Sequence, residues 1–546
     1  MYNPANEKYA QLTFFSKPLD QQLDHSNRYV ELSNKIDWNA ICSDIKQYFC
    51  ADIGRASYYI RLMVGLNIVK HIENISDASV LQMYLENPYV QFFCGAAEFQ
   101  TEIPCTDTTM TNFRKKIGEA GCKAILTASV KIHDLGIDNN DVAEVVFDTT
   151  AQCKNVAYPN DINLLKKVAE GCVKLAHKYN IKLKNTYAAQ INECLKIIRF
   201  EKSTKPERMK IIRKAKKRIY TIAYALYREL MRKMSQEQKD ENEEELKNFK
   251  KVIDQSKINK NPIARLRDEI KDLLETINKA KETCSSHNMS LSKRDNEKLE
   301  NLIDSFKNAS GRGLEKALRE ILAALKRMVD RIIKMFQKNI DDINNNTFSD
   351  TEREELEGVK DELHSSIHDK RIYSLHEPHV RCITKGKVGV DHEYGSKASI
   401  AITKQSAIIV GACNFSGNTY DSNTVTGTAD SIAEITGVRS CDGWVDRGYR
   451  GAQEKNPDIN LHIPSTPTSD MSAKEKAQVR ADFGRRSSIE PVIGHLKSDF
   501  RLRRNYLKGE LGDAINLLLA CAAFNFKKWI NMQAKKAAEA KSKSKK

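Results

Sequence analysis

No stretch of this chain is long and apolar enough to cross a bilayer. The longest, Ile515 to Phe526, is interrupted by Asn516 and Asn525 and falls short of the roughly 20 apolar residues that a spanning helix needs. The N-terminus, Met1 to Leu12, is polar and lacks the apolar core of a secretory signal, so the sequence reads as a cytoplasmic protein with no membrane partner. The 13 cysteines form no CxxC pair, and their odd number does not suit a disulfide framework. They read as reduced, buried thiols. There is no GxxxxGK(S/T) loop to cradle ATP phosphates and no GxSxG elbow to present a serine nucleophile. Acidic residues are in the minority: 72 Asp and Glu face 88 Lys and Arg, a net charge of +16. That balance favours a polyanionic partner, of which DNA and RNA are the commonest. With 40% apolar residues the chain can build packed cores, which excludes a collagen-like or fully disordered protein.

What is present falls into four textures. Residues 1–135 read as helices. Residues 140–160 hold a strand-like run. Residues 161–370 are helical and rich in Lys and Glu. Residues 371–530 alternate strands, turns and helices, and a basic tail, 531–546, is expected to be disordered because it buries too little to offset its ordering entropy. A strand, a long helical stretch and then more strands predict one sheet domain with a helical hairpin inserted at an antiparallel β-turn, where the two ends of the insertion lie close together. Within the insertion, Ile212, Ile219 and Leu226 recur at a seven-residue spacing, as do Leu318, Leu325 and Ile332. These stripes predict two helices packed on each other in a coiled-coil-like hairpin. The segment Arg199 to Arg218 carries Lys and Arg far in excess of Asp and Glu. It reads either as a solvated face or as a track along a nucleic-acid backbone.

The N-terminal region contains a helix–turn–helix-like sequence. Ile60, Met63, Val64 and Ile68 form a helical stripe, Ser76 can cap the next helix, and Pro88 ends it. Thr106 or Asp107 can cap a third helix whose polar residues Asn112, Arg114 and Lys115 are expected to be exposed and to suit phosphate and base-edge contacts. An ordinary helical bundle with a polar face is the other reading of the same residues.

Two aspartates directly follow short apolar runs: Asp148 after Val145-Val146-Phe147, and Asp446 after Trp444-Val445. A carboxylate at a strand end projects from the rigid rim of a sheet, a good place for a metal ligand. Asp446 leads into Arg447-Gly448-Tyr449-Arg450-Gly451, where glycines allow a tight loop and Arg447 and Arg450 can meet phosphate. The third candidate is Glu490, with Arg486 and Lys497 on the same helical stripe. Pro491 is tolerated only in a first turn, so this helix is expected to start near Ser487 or Ser488. Three converging carboxylates can hold two Mg²⁺ ions, and hard oxygen ligands suit Mg²⁺ or Mn²⁺. A weaker competitor, His364 and His368 with His376 and His379, reads as surface or packed histidine.

The blocks around the carboxylates resemble those of DDE transposases of bacterial insertion sequences, specifically the insertion-sequence-five-like group, over most of residues 25 to 530. Arg61 to Leu66, Glu86-Asn87-Pro88-Tyr89, Gln91-Phe92-Phe93-Cys94-Gly95 and Phe113-Arg114 are similar to that group's N-terminal domain. Phe147-Asp148-Thr149-Thr150, Asp446-Arg447-Gly448-Tyr449-Arg450-Gly451 and Arg486-Ser487-Ser488-Ile489-Glu490-Pro491 resemble its two aspartate blocks and its glutamate block, and Glu393-Tyr394-Gly395 with Lys397 its second-strand region. The related signature Tyr-x2-Arg-x3-Glu-x6-Lys stands here as Phe483-x2-Arg486-x3-Glu490-x6-Lys497, with Phe in place of Tyr.

The resemblance implies a mixed α+β fold. In it a ribonuclease H-like catalytic domain (140–160 plus 371–530) is interrupted by a long helical, coiled-coil-like insertion (161–370). An all-helical DNA-binding domain (1–135) precedes it. The same likeness implies Asp148, Asp446 and Glu490 as both catalytic and metal residues with two Mg²⁺, Mn²⁺ substituting. Double-stranded DNA, both terminal inverted repeats and target, is the implied partner, with a homodimer in the active complex and a cytoplasmic, nucleoid-associated setting in a bacterium. Two alternatives stay open: a catalytically inactive or repurposed DNA-binding protein, and a nuclease that cuts without joining.

Overall fold

The computed structural model describes residues 17–49, 59–135, 140–199, 206–256, 262–287, 289–311, 313–341, 371–387, 390–439, 441–464 and 471–543, with a few positions between 352 and 363. Residues 1–16 and 200–205, and His364 and His368, lie outside these, as does the Phe483 side chain. The chain divides into two compact units. One is Met1–Ala157 with His379–Lys546, the other Tyr158–Pro378.

The first unit begins with six helices: α1 (Arg28–Lys35), α2 (Trp38–Lys46), α3 (Ile60–Ile72), α4 (Asp77–Glu86), α5 (Pro88–Phe93) and α6 (Asp107–Lys131). Their starts are written in the sequence. The side chains of Asn27, Asp37, Ser76, Asn87 and Thr106 each accept a backbone N–H of the first turn. Pro88 does more than stop α4, because Asn87 closes α4 and caps α5, whose first residue is Pro88. Apart from Arg61 the whole of α3 is buried, including Asn67, Lys70 and His71.

The helices are followed by strand β1 (Glu144–Cys153), and the chain then enters the second unit. There α7 (Asp161–Lys178), α8 (Ala188–Arg199), α9 (Pro206–Lys233), α10 (Gln236–Glu241) and α11 (Glu243–Gln255) precede α12 (Pro262–Ser286), α13 (Lys293–Asn308) and α14 (Leu314–Asp341). The two heptad-like stripes are buried apart from half-buried Ile212, but they do not pack on each other. Ile219 and Leu226 of α9 share a core with Leu165, Val168 and Cys172 of α7 and Val252 of α11. Leu318, Leu325 and Ile332 of α14 share a separate one with Ile270, Leu273 and Ile277 of α12. Gly171 lets α11 come this close, since a Cβ there would stand 2.3 Å from the Phe249 ring. Local partners arrive first along the chain and satisfy each stripe, so the predicted pairing of α9 with α14 does not occur.

The remainder returns to the first unit with β2 (Arg381–Lys387), β3 (Val390–Thr403), β4 (Ile409–Phe415), α15 (Val425–Thr436), β5 (Cys441–Trp444), β6 (Ile459–His462), α16 (Ala473–Gly484), α17 (Ile489–Asp499) and α18 (Gly509–Lys543). These strands and β1 make a 6-stranded mixed sheet in the order β2-β3-β1-β5-β6, with β4 also on β3. β1 is antiparallel to β3 and parallel to β5, and β5 is parallel to β6. The insertion therefore does not sit at a β-turn between paired strands. Its flanks β1 and β2 lie either side of β3, and Cys153 and Arg381 are both partnered by Gly395. The ends still come close, about two strand spacings of roughly 4.8 Å. Gly395 is required there, because a Cβ would lie 1.9 Å from the Gln152 carbonyl oxygen.

α18 passes behind the sheet, buried from Asp513 to Ala523 and packed on α3, α6 and β4. Asn525 is wholly buried and ties the layers together: its amide donates to Ser129 Oγ of α6 and to the Ile409 carbonyl, and its oxygen accepts the Ile409 amide. Beyond Trp529 and Ile530 the same helix runs on, exposed, to Lys543. The expected disordered tail is thus helical there. Its Ala, Lys and Glu are strong helix formers and extend a helix already nucleated by buried turns.

Candidate active site

The sheet register sets the geometry. β1 and β5 run parallel with Val146 opposite Trp444, so Asp148 in β1 and Asp446 just past the end of β5 each follow that pair by two residues. Asp148 is still in β1, opposite Ile400 of β3. Asp446 has left β5, and its carboxylate caps the 3₁₀ turn Arg447–Tyr449 by accepting the Gly448 amide at 2.7 Å. Burial, then the charges of Asp446 and Asp421, push the Asp148 carboxyl up to about 6, against the pull of the Thr149 amide and Arg486. Tyr449 is buried beneath this group. Its phenol is raised well above its ordinary range, first by burial and then by Asp148, Asp421 and Asp446.

Glu490 lies in the first turn of α17, which packs against β1. The 3₁₀ turn Arg485–Ser488 leads into it and Pro491 falls where amides have no helical partner, as the sequence predicted. The side chain is turned to solvent, 65% exposed, and pairs with Arg486 at 3.6 Å. Arg486 bridges the groups, since the same guanidinium acts on Asp148, and its Nη1 is buried with no hydrogen-bond partner among the described residues. Lys497, one side of α17 further along, contacts Glu393 of β3 at 3.4 Å. Among the described residues no three Asp, Glu, His or Cys side chains already stand close enough to hold a metal ion.

Two anchors fix α17. At its far end the α3–α4 turn holds it: Asn74 donates to the Ser498 carbonyl and Arg501 donates to the Asn74 carbonyl. Both residues have positive φ, 55° and 67°, a conformation that Asn tolerates far better than Arg. Just beyond, Asn505 joins the end of β1 through a bridge to Lys154. Beneath that bridge Asp513, fully buried, accepts from Lys154 at 2.6 Å and Asn505 at 2.6 Å.

Of the predicted DNA contacts, Arg447, Arg450, Asn112 and Lys115 are exposed. Arg114 is not. It shares the inner face of α6 with Met110, Phe113 and Ile117 and is 2% exposed. Its guanidinium grips Asp77 through two bonds, at 2.9 and 2.7 Å, and bonds Asn67 at 2.9 Å. A guanidinium buried this deeply in the helix core cannot reach DNA, so Arg114 is a structural residue and not a DNA contact. Sequence reasoning also missed Asp421. It lies in a polar loop with no apolar run before it, so nothing marked it as a strand-end carboxylate.

Two family models match the chain: a transposase domain (DUF772) over residues 17–116 and a transposase DDE domain over residues 366–526. Asp446, Glu490, Arg486 and Lys497 fall inside the second match, whereas Asp148 lies outside it, before the insertion. A Rhizobium meliloti protein described as "Uncharacterized protein ORF8 in nfe locus" is 36% identical over 186 residues, spanning 34% of this chain and 89% of that protein. No solved structure matches. The sheet and its matches define an enzyme that acts on DNA. The chain belongs to the DDE transposases of the bacterial insertion-sequence type.

Proposed function

We propose that this transposase cuts DNA at the ends of an insertion sequence and joins the released 3′-hydroxyls to target DNA, with Asp148, Asp446 and Glu490 as its catalytic carboxylates. The proposal rests on the placement of Asp148 in β1 and of Asp446 just past the end of the adjoining parallel strand β5, with the Arg486–Glu490 pair on a helix packed against β1. The strand order, with three antiparallel strands followed by two parallel ones, supports a ribonuclease H-like catalytic domain.

The donor set fits a divalent cation. All donors are carboxylate oxygens, which suit Mg²⁺ or Mn²⁺, and Asp148 is raised in part by its neighbouring carboxylates, a repulsion that a cation offsets. When bound, two such ions acidify the attacking hydroxyl and neutralise phosphate charge. Asp148 is held in β1 and Asp446 by its 3₁₀ turn, so Glu490 would have to swing in from solvent to complete the set. Arg486, released from Glu490, and Lys497, released from Glu393, then meet the DNA phosphates flanking the reacting bond. Water attacks phosphorus at the element end, the P–O3′ bond breaks, and a 3′-hydroxyl is freed. That hydroxyl next attacks a target phosphodiester, forming a new P–O3′ bond and releasing a target 3′-hydroxyl. The exposed Asn112 and Lys115 of α6 contact element ends, with Arg447 and Arg450 nearer the reacting phosphate. Joining two ends requires at least a homodimer, working on chromosomal DNA in the bacterial cytoplasm.

The test uses purified full-length protein and DNA carrying the element ends. Asp148→Asn, Asp446→Asn and Glu490→Gln should each abolish cleavage with end binding nearly intact, and EDTA should abolish cleavage by the unaltered protein. Full cleavage by any one variant would remove that residue from the triad. Cleavage without joining would make the enzyme a nuclease.

A further inference from the structure

A fourth carboxylate stands beside the two aspartates. Asp421 opens the 3₁₀ turn Asp421–Asn423 after β4. Its Oδ1 accepts two side-chain donors, Thr149 Oγ1 at 2.6 Å and Lys397 Nζ at 2.8 Å. Thr149 is the residue after Asp148 in β1. Lys397 sits in β3, between Ala151 of β1 and Phe415 of β4. Asp421 Oδ2 faces the other aspartate: a Cβ placed on Gly448 would lie 3.1 Å from Asp421 Oδ2 and 2.9 Å from Asp446 Oδ1. Asp421 thus touches the strand that carries Asp148 with one oxygen and approaches the loop that carries Asp446 with the other.

The charges explain why such crowding is tolerated. Three aspartates around one point repel one another strongly in a half-buried site. Lys397, whose side chain is only 12% exposed, supplies the compensating charge. Being an ammonium on a buried stem, it reaches Asp421 from the sheet.

We propose that Asp421 is a positioning residue of the catalytic centre, which with Lys397 and Thr149 locks the end of β1 to the Asp446 loop and sets the spacing of the two catalytic aspartates. This rests on the assignment of Asp148 and Asp446 as the catalytic pair. Asp421 and Lys397 act as one unit. Removing either leaves the other as an unmatched charge next to Asp148, while removing both restores neutrality.

The experiment combines Asp421→Asn, Lys397→Met, the double variant and Thr149→Val, each in the full chain. Three readouts are taken: Mn²⁺ binding by calorimetry in the absence of DNA, the Mg²⁺ dependence of single-turnover cleavage, and thermal melting. Losing a partner that orients metal ligands typically costs 10–100-fold. Asp421→Asn and Lys397→Met should each weaken Mn²⁺ binding and slow cleavage within that range, with DNA-end binding unchanged. The double variant should be no worse than the poorer single one, because contacting residues do not add. Thr149→Val, which removes a hydroxyl and no charge, should weaken Mn²⁺ binding by less. Unchanged Mn²⁺ affinity in well-folded Asp421→Asn overturns the proposal, as do additive losses in the double variant. Should Lys397→Met fail to melt cooperatively, Asp421→Asn and Thr149→Val decide alone. Mn²⁺ binding that survives Asp148→Asn unweakened would instead strike at the catalytic pair itself.

Discussion

The two helical regions use their charged side chains in opposite ways. In the insertion, ion pairs such as Arg319–Glu315 and Arg218–Glu193 lie on the surface, with more than a third of each side chain exposed. Solvent screens such pairs and they contribute little. In the N-terminal helices one group of charges lies inside. Lys70 and Arg114 both clamp Asp77, at 2.8 and 2.7 Å, with side chains only 5% and 2% exposed. A basic residue on a helix can therefore be part of a candidate DNA track or of the core, and its position on the helix decides which. Arg114 falls between Phe113 and Ile117 on the packed face, whereas Arg213, Lys214, Lys216 and Lys217 surround a single buried position, Ala215.

Removing one partner from the buried group should have the largest effect. Asp77→Ala strands Lys70 and Arg114 without their counter-charge, and loss of one member of a buried pair costs about 3–5 kcal/mol. Thermal melting should show a large drop for Asp77→Ala and almost none for Glu315→Ala. Equal drops would mean that both regions use charge alike.

A smaller effect follows from acid. His71 is wholly buried, and burial together with the charge of Lys70 depresses its imidazolium to about 3. Burial tends to raise Asp77, but hydrogen bonds from Arg114 and the charge of Lys70 outweigh it and hold the carboxyl at about 2. Both groups bind protons more readily in the unfolded chain, so stability rises with pH across each window. The share due to His71 is complete above its ordinary 6.5 and is lost as pH falls from there toward 3. That of Asp77 is lost lower, from 3.8 down to about 2. Melting of the whole chain from pH 7 to pH 4 should show a loss on the order of a few kcal/mol, much reduced in His71→Gln.

The smallest effect concerns affinity alone. Neutralising Arg213, Lys214, Lys216 and Lys217 together should leave the melting temperature unchanged. It should also lower the log–log salt slope of non-specific DNA binding by about 0.9 for every phosphate that these side chains had neutralised. An unchanged slope would make α9 a plain solvated helix.

The sequence was legible where local rules decide structure. Caps at Ser76 and Thr106, the Pro at the start of the Glu490 helix and the apolar runs before Asp148 and Asp446 all depend on near neighbours. Reading failed where tertiary context decides. Nothing in Arg381–Lys387, with its charged ends, announces a strand. It becomes one because β3 offers an edge. The inward turn of Arg114 depends on Asp77, far away in sequence. Asp421 belongs to the site only because its loop folds back to Thr149 and Lys397. The pairing of α9 with α14 was a reasonable match of two stripes that each found a nearer partner.

The placement of the insertion also sets an order of events during synthesis. β1 is finished at Cys153, but its antiparallel partner β3 ends only at Thr403. At about 5–20 residues per second the ribosome needs tens of seconds to cross that gap, and until then the apolar edge of Val145, Val146 and Phe147 has no strand to pair with. The cover for α3 and α6 comes later still, with α18. Residues 158–378, by contrast, carry all the partners of both their cores within one continuous stretch. The insertion can thus mature on the nascent chain while the catalytic sheet waits. A chain stalled with residue 378 just outside the exit tunnel should already protect residues 158–378 from protease and leave residues 144–153 open to cleavage. Protection of both segments at that length would mean that β1 finds a temporary partner among the helices.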